Sequence, residues 1–157
     1  MDLQHYPMTS SRNGLDYSFY SIGPRGKILK VIRLRLHQTE PNVIFNMSLG
    51  DFDERTNEIN TDVISNNGDR DMILKTTAHA ILRFCHRYPQ CYVLLRGNTD
   101  IRNRLYRMSI SNRLDEIKKQ FMIYGLVGTE ISIFLKGRDY DGFLVKAIKD
   151  INFKQSI

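Results

Sequence analysis

The sequence predicts a single α+β domain, in which a mainly antiparallel sheet of about six to seven strands carries two helices on one face. Three observations predict this class. The 157 residues, 41% apolar and 25% charged, have the size and composition of one ordinary globular domain. Apolar and polar residues alternate along the first half, and two stretches of the second half repeat apolar residues at helical spacing. The predicted order is β-β-β-β-α-β-α-β-β.

The two ends of the chain are predicted to lie outside the domain. Residues 1–15 have no periodicity and are rich in Ser, Asn and Gly, which is typical of a flexible N-terminal arm. We expect the domain to span residues 16–152 and a short tail to occupy residues 153–157.

The first half of the domain is predicted to be a meander of four strands. A Gly-Pro-Arg-Gly turn at residues 23–26 joins a short aromatic strand to a longer one. In the longer strand, branched apolar residues alternate with Arg33 and Arg35, so one face is buried and the other is basic. A third strand is predicted at residues 43–49 and a shorter one around residues 58–65.

A helix and a central strand are predicted next. Apolar residues recur at helical spacing over residues 73–88, Asp69 or Asp71 is expected to cap this helix, and Pro89 ends it. The continuous apolar run at residues 91–95 is typical of a strand covered on both faces, which places it in the centre of the sheet.

A second helix and two strands complete the predicted order. Thr99 is expected to cap the helix, and two apolar stripes that are out of phase predict a bend or break near residues 109–111. Glycines in the segment 125–128 are expected to end it. The last two strands are predicted at residues 130–135 and 143–148.

Cysteine usage and hydropathy indicate a cytoplasmic protein. Cys85 and Cys91 match neither a zinc pattern nor a redox pattern, so we expect two core thiols and no disulfide. No stretch has the length of a membrane span, and the polar start lacks the apolar run of a secretory signal. No motif predicts a cofactor.

Charge is unevenly distributed along the chain, whose net charge is +6. Residues 17–39 contain five bases and no acid, residues 41–72 seven acids and two bases, and residues 96–125 seven bases and three acids. Such blocks serve either as solvated, ion-paired faces or as a basic binding surface.

The segment 96–110 is the candidate binding site, because a strand ends there in a Gly-containing turn that enters an arginine-rich helix. Backbone N–H groups, the helix dipole and guanidinium groups would then meet one phosphate. The predicted phosphate-binding or nucleic-acid-binding residues are Arg96, Asn98, Thr99, Arg102, Arg104, Arg107 and Arg113. Tyr106 would add base stacking. In the alternative interpretation these arginines pair with the acidic block and Tyr106 is a core residue.

The acidic block offers a second, weaker candidate. Asp51 and Asp53 share a face if their strand continues, and together with Asp62 or Asp69 they would hold Mg²⁺ as a metal-dependent nuclease does. Asp-rich turns are also commonplace, and no arrangement of nucleophile and histidine is visible, so no metal ligand and no catalytic residue is assigned.

Six segments together resemble a family of small bacterial proteins that carry a domain of unknown function. The segments are SIGPRGKILK (21–30), LGD (49–51), ISNNGD (64–69), RYP (87–89), GNTDIRNRLYR (97–107) and FLVK (143–146). The resemblance covers residues 17–149, and its most specific part is Gly-x-Thr-x-x-Arg-x-Arg-Leu-Tyr-Arg. It implies no catalytic residue; it implies that members accompany a small partner protein, as toxin and antitoxin components do.

Three function classes follow from the sequence. The first is a module that binds RNA or another phosphate-bearing ligand, with Arg33 and Arg35 adding charge if their strand lies near the arginine-rich helix. The second is a protein-interaction component that recognises a small partner or another copy of the chain through its charged faces. The third is the metal-dependent nuclease on Asp51, Asp53 and Asp69. The sequence leaves open whether the protein is an enzyme.

Overall fold

A computed structural model describes residues 4–61, 66–97 and 99–148. Within these ranges nine strands and three helices form. The strands are β1 (Thr9–Ser10), β2 (Asp16–Gly23), β3 (Gly26–Gln38), β4 (Ile44–Asp53), β5 (Glu58–Asn60), β6 (Tyr92–Leu95), β7 (Phe121–Val127), β8 (Glu130–Ile133) and β9 (Gly142–Ala147). The helices are α1 (Arg70–Arg87), α2 (Asp100–Asn112) and α3 (Leu114–Ile117).

All strands join one sheet in the order β1-β2-β3-β4-β6-β9-β7-β8, with β5 beside β4. Every pairing is antiparallel except the one between β4 and β6, which are parallel because α1 crosses over between them. The α+β class and the mainly antiparallel sheet are therefore confirmed. The strand β6 is central, between β4 and β9, as its apolar sequence predicted.

The sheet has more strands than the predicted six to seven. One addition is β1, whose Thr9 and Ser10 pair with Ser18 and Tyr17 of β2. Backbone hydrogen bonds define this short strand, and it has no apolar alternation from which it could be predicted. The predicted strand at residues 58–65 is formed over Glu58–Asn60, and residues 62–65 lie outside the described part of the chain.

The largest correction concerns β7, which the sequence analysis assigned to the second helix. Phe121, Ile123 and Gly125 face one side of the sheet, with Met122 and Tyr124 on the other, so this stretch has the period of a strand. The helix before it breaks at Arg113, two residues beyond the predicted region, and a short α3 follows. The sequence analysis continued the helical spacing of apolar residues past this break, and for that reason it assigned residues 121–127 to the helix.

The helices all pack on one face of the sheet, as predicted. Ala80 and Phe84 of α1, Ile110 of α2 and Ile117 of α3 belong to one hydrophobic cluster with alternate residues of the strands. We call this side of the sheet the covered face. Cys85 and Cys91 are buried free thiols, and burial raises the pKa of Cys85 to about 11, so the expected core role is confirmed.

The chain before β2 lies against α1. The Tyr6 hydroxyl donates to Asp69 Oδ2 at 2.6 Å, and the His5 ring stacks on His79 with centroids 3.9 Å apart. Asp69 stands at the capping position of α1, yet its side chain makes no cap hydrogen bond, since Oδ2 accepts from Tyr6 and from Ser21 Oγ instead. The predicted cap is therefore correct in position but not in its hydrogen bond.

Candidate nucleic-acid interface

The turn into α2 is built as the sequence predicted. Thr99 Oγ1 accepts a hydrogen bond from the Arg102 backbone N–H at 3.1 Å, so Thr99 caps the helix. Gly97 packs against the helix so closely that a Cβ there would lie 2.7 Å from Arg102 Cβ. Asn103 fixes the turn by accepting from the Gly97 N–H at 2.8 Å and donating to the Asp141 carbonyl at 2.7 Å. The predicted binding residue Asn98 lies outside the described residues.

Arg102 and Tyr106 turn from this helix toward the protein. The Arg102 guanidinium donates to the Leu49 carbonyl of β4 at 3.1 Å and hydrogen bonds the Tyr106 hydroxyl. Burial raises the pKa of Tyr106, although the neighbouring guanidinium opposes that rise. These two side chains therefore contribute to the contact between α2 and the sheet.

Two further arginines form ion pairs within the chain. Arg107 pairs with Asp139, and Arg113 pairs with Asp71 and, at 3.4 Å, with Glu116. Burial by itself would raise the pKa of Asp71, but hydrogen bonds from Arg113 and Lys75 outweigh burial and lower it. For Arg113, pairing with the acidic block is thus the interpretation that the geometry favours.

The remaining two predicted arginines are exposed. Arg96 follows β6, and Arg104 lies on the outer side of α2, where no carboxylate among the described residues pairs with it. The five predicted arginines therefore meet different surroundings, because a helix directs successive side chains around its circumference.

The carboxylates of the nuclease hypothesis each have a partner within the chain. Asp51 pairs with Lys30, Asp53 lies near Arg55 at 3.7 Å, and Asp69 accepts from two hydroxyl groups. In the part of the chain that the structure describes, no group of three or more His, Cys, Asp or Glu side chains could hold a metal ion. Asp62 falls outside that part. Nothing in the structure supports the nuclease hypothesis.

A different surface combines cations with aromatic rings: the sheet face opposite the helices, which we call the open face. Its apolar cluster of Ile44, Leu94, Leu126 and Leu144 consists of strand residues. Alternation and strand register place a larger set of side chains on it. They are Tyr20, Lys27, Arg33, Arg35, Asn46, Tyr92, Leu94, Leu144, Lys146, Met122, Tyr124, Leu126, Ile131 and Ile133.

One row across the open face shows how its character changes. Residues that lie opposite one another on successive strands run from Arg35 to Asn46, Leu94, Leu144, Tyr124 and Ile133. The β3 end of this row is cationic, and the β8 end is apolar and exposed, with Ile133 71% accessible.

Aromatic rings and lysines are neighbours at two places on this face. Lys146 Nζ lies 4.8 Å from the centre of the Tyr92 ring, and Tyr92 and Tyr124 have centroids 6.3 Å apart. Near the other edge, Lys27 Nζ lies 5.6 Å from the Tyr20 ring. Both separations fall within the range of cation–π contacts.

Sequence reasoning found only the cationic half of the open face. Strict alternation identified Arg33 and Arg35 as outward-facing. Tyr92 was assigned to a strand covered on both faces and Tyr124 to a helix, so neither became a candidate. Reading residues 121–127 with a period of two would have placed Tyr124 on the open face.

Comparison with known proteins identifies a family and no relative of known activity. No helix in the described ranges is long and apolar enough to span a membrane. No curated protein matches the chain, and no solved structure does. The family of unknown function DUF6934 matches residues 2–148, nearly the whole chain. The protein therefore belongs to this family, in agreement with the resemblance in its sequence segments.

Proposed function

We propose that this protein binds single-stranded RNA on the open face of its sheet. The observation that carries the proposal is the placement of tyrosines beside cations on a sheet face whose apolar cluster, among the described residues, comes from strands. This keeps the RNA or phosphate-binding class that the arginine-rich segment predicted, and moves the site from α2 to the strands.

Single-stranded RNA suits this surface because its bases are free to stack on the tyrosines and its negatively charged phosphates can contact the cations. Stacking of one base on an aromatic side chain contributes about 1 to 3 kcal/mol, and it tolerates any base. Tyr20 is about half exposed, as are Arg33 and Arg35, so a ring and two guanidinium groups reach solvent on neighbouring strands. Asp16 pairs with both arginines, at 3.6 and 2.9 Å, and RNA would compete with it for them.

A binding assay with labelled oligouridine across a salt series tests this function. Tyr20→Leu should weaken binding about tenfold through lost stacking, whereas Tyr20→Phe should retain it. Lys146→Ala should reduce the slope of log affinity against log salt by about 0.7, the value of one contact to a single strand.

The matched control is Arg104→Ala, which removes a cation of the helix side and should leave both affinity and slope unchanged. If Arg104→Ala weakens binding as much as Lys146→Ala does, the site lies on α2 and the open face is the wrong assignment. Absence of wild-type binding at low salt would reject the RNA function.

A second function is favoured by the apolar end of the open face. Ile131 and Ile133 are 57% and 71% exposed, and Met122 of the neighbouring strand β7 is exposed too. Aliphatic side chains gain little free energy from contact with RNA, but they gain much from burial against another protein. We infer that the alternative to RNA binding is an interaction with a small protein partner, as in a toxin–antitoxin-like pair, or with a second copy of the chain.

Measurement of mass in solution separates these cases. A dimer that Ile133→Glu converts to a monomer would support self-association. A monomer that forms a stoichiometric complex with the product of an adjacent gene, lost in Ile133→Glu, would support a partner. A monomer that forms neither would remove the protein-interaction function.

A further inference from the structure

A cavity of about 390 Å³ lies between the covered face of the sheet and the helices α1 and α2. Its walls are apolar along most of their length, with Leu49 from β4, Ile73 and Ile81 from α1, Leu105 from α2, and Phe121 and Ile123 from β7. Protein interiors seldom leave voids larger than a water molecule, whereas ligand pockets have volumes of roughly 300 to 1,000 Å³. The size of this space is that of a ligand pocket.

The packing of α2 explains why the space is there. Of the 13 residues in α2, only Ile110 is buried. Leu105, Tyr106 and Ser109 line the cavity, and Tyr106 also packs against the core. Polar contacts of Asn103, Arg102 and Arg113 also hold the helix in place. The helix therefore covers the cavity, with Leu105 and Ser109 facing space that the sheet does not fill.

One end of the cavity is charged. Lys30 and Asp51, directly opposite each other on β3 and β4, form an ion pair there, and Lys30 is only 6% exposed. Asp69, Arg70 and Arg102 line the same region, so three cations accompany two carboxylates. Three cations against two carboxylates leave a net charge of +1 at this end of the cavity.

We propose that this cavity binds an amphipathic small molecule, with its apolar chain between α2 and the sheet and an anionic head group beside Arg102 and Arg70. The chain would fill the apolar space that Leu105 lines, and a carboxylate or phosphate would pair with the positive charge. This site is independent of the proposed RNA surface, because it lies on the covered face.

Four probes with the same 12-carbon chain separate the head groups: dodecanoate, dodecyl phosphate, dodecylamine and dodecanol. Each is titrated below its micelle concentration, with binding followed by calorimetry and by the thermal midpoint of unfolding. Dodecanoate or dodecyl phosphate should bind with one-to-one stoichiometry and raise the midpoint, since a ligand that binds only the folded state stabilises it. The stronger of the two identifies the class of anion. Dodecanol should bind about tenfold more weakly, and dodecylamine more weakly still.

Two matched pairs of variants locate the site. Ser109→Leu places a larger side chain in the cavity and should abolish binding. Ser111 lies two residues further along the same helix and does not line the cavity, so Ser111→Leu should leave binding unchanged. Arg102→Gln should remove the preference for anions over dodecanol, and Arg104→Gln should preserve it. Circular dichroism confirms that each variant is folded, and Ser109→Val replaces Ser109→Leu if the latter is not.

Three outcomes would overturn the proposal. Failure of all four probes to bind the wild-type protein would remove the ligand site. Binding that persists in a folded Ser109 variant would place the probe elsewhere. Equal or tighter binding of dodecylamine would contradict the assignment of an anionic head group.

Discussion

The two faces of the sheet use charged side chains in different ways. On the covered face, Lys30 is buried against Asp51, Arg102 hydrogen bonds the backbone of β4, and Arg113 is paired with Asp71. On the open face, Arg35 and Lys146 reach solvent beside polar and aromatic neighbours. The difference teaches that the position of a charge relative to the sheet, and not its density along the sequence, decides whether its neighbours are core and backbone groups or solvent and aromatic rings.

Secondary structure explains this difference. A helix turns about 100° per residue, so the arginines of α2 point toward a cavity, toward neighbouring acids and toward solvent. A strand alternates between two directions, so Arg33 and Arg35 share one face. A cluster of cations in a strand therefore predicts a surface more directly than the same cluster in a helix.

The largest effect is expected for Lys30→Met. It leaves the carboxylate of Asp51 without its ion-pair partner in a largely buried position, which should lower the free energy of unfolding by about 3 kcal/mol. Urea denaturation measures this loss, and RNA affinity of the folded variant should be unchanged. The double variant Lys30→Met/Asp51→Leu should recover most of the stability. A Lys30→Met protein as stable as the wild type would show that the covered-face pair is not structural.

The opposite result is expected for Arg33→Ala/Arg35→Ala on the open face. Their ion pairs with Asp16 are exposed, so the free energy of unfolding should change by less than about 1 kcal/mol. RNA binding should weaken, and the salt slope should fall by about 1.4 for two lost phosphate contacts. A large loss of stability with an unaltered slope would invert the comparison between the two faces.

A smaller effect is expected for Thr99→Ala, which removes the cap of α2. Loss of such a cap costs about 1 kcal/mol. Because α2 has little buried surface, the change should appear mainly as faster amide hydrogen exchange in residues 100–104, with a smaller shift in global unfolding. Thr99→Ser is the control, since serine also caps. Exchange that stays slow in Thr99→Ala would show that the polar contacts of Asn103 suffice to hold the start of the helix.

The spacing of apolar residues and the residues typical of turns predicted most of the fold, but they did not predict the candidate site. The β2–β3 hairpin, the first helix and the central β6 followed from local sequence. The strand β7 did not, because its apolar residues also continued the helical pattern of α2, and only pairing with β9 settles its period. The partners of Arg107 and Arg113 lie 32 and 42 positions away along the chain, at Asp139 and Asp71, so no local pattern reveals that these arginines are paired. The open face emerged only once strands distant in sequence had been placed side by side.

The smallest effect concerns pH and the chain segment that lies on α1. Burial, and then the charges of His5 and Arg83, lower the pKa of His79, whose ring stacks on His5. The unfolded chain therefore takes up a proton near the ordinary pKa of about 6.5, before folded His79 does. Stability should decline as the pH falls below that value and level off once folded His79 is also protonated, with a total change below about 1 kcal/mol.

Urea denaturation between pH 7.5 and 5 measures this decline. His79→Phe keeps an aromatic ring against His5 but cannot be protonated, so its stability should vary less with pH over this range. His86→Gln, a substitution at an exposed position in the last turn of the same helix, should leave the wild-type decline in place. The carboxylate of Asp71 does not account for a change in this window, because its pKa is lowered from 3.8 and the stability it contributes is lost only at more acidic pH. If His79→Phe declines as steeply as the wild type while His86→Gln is flat, the pH-sensitive contact lies at the end of α1 and not beneath His5.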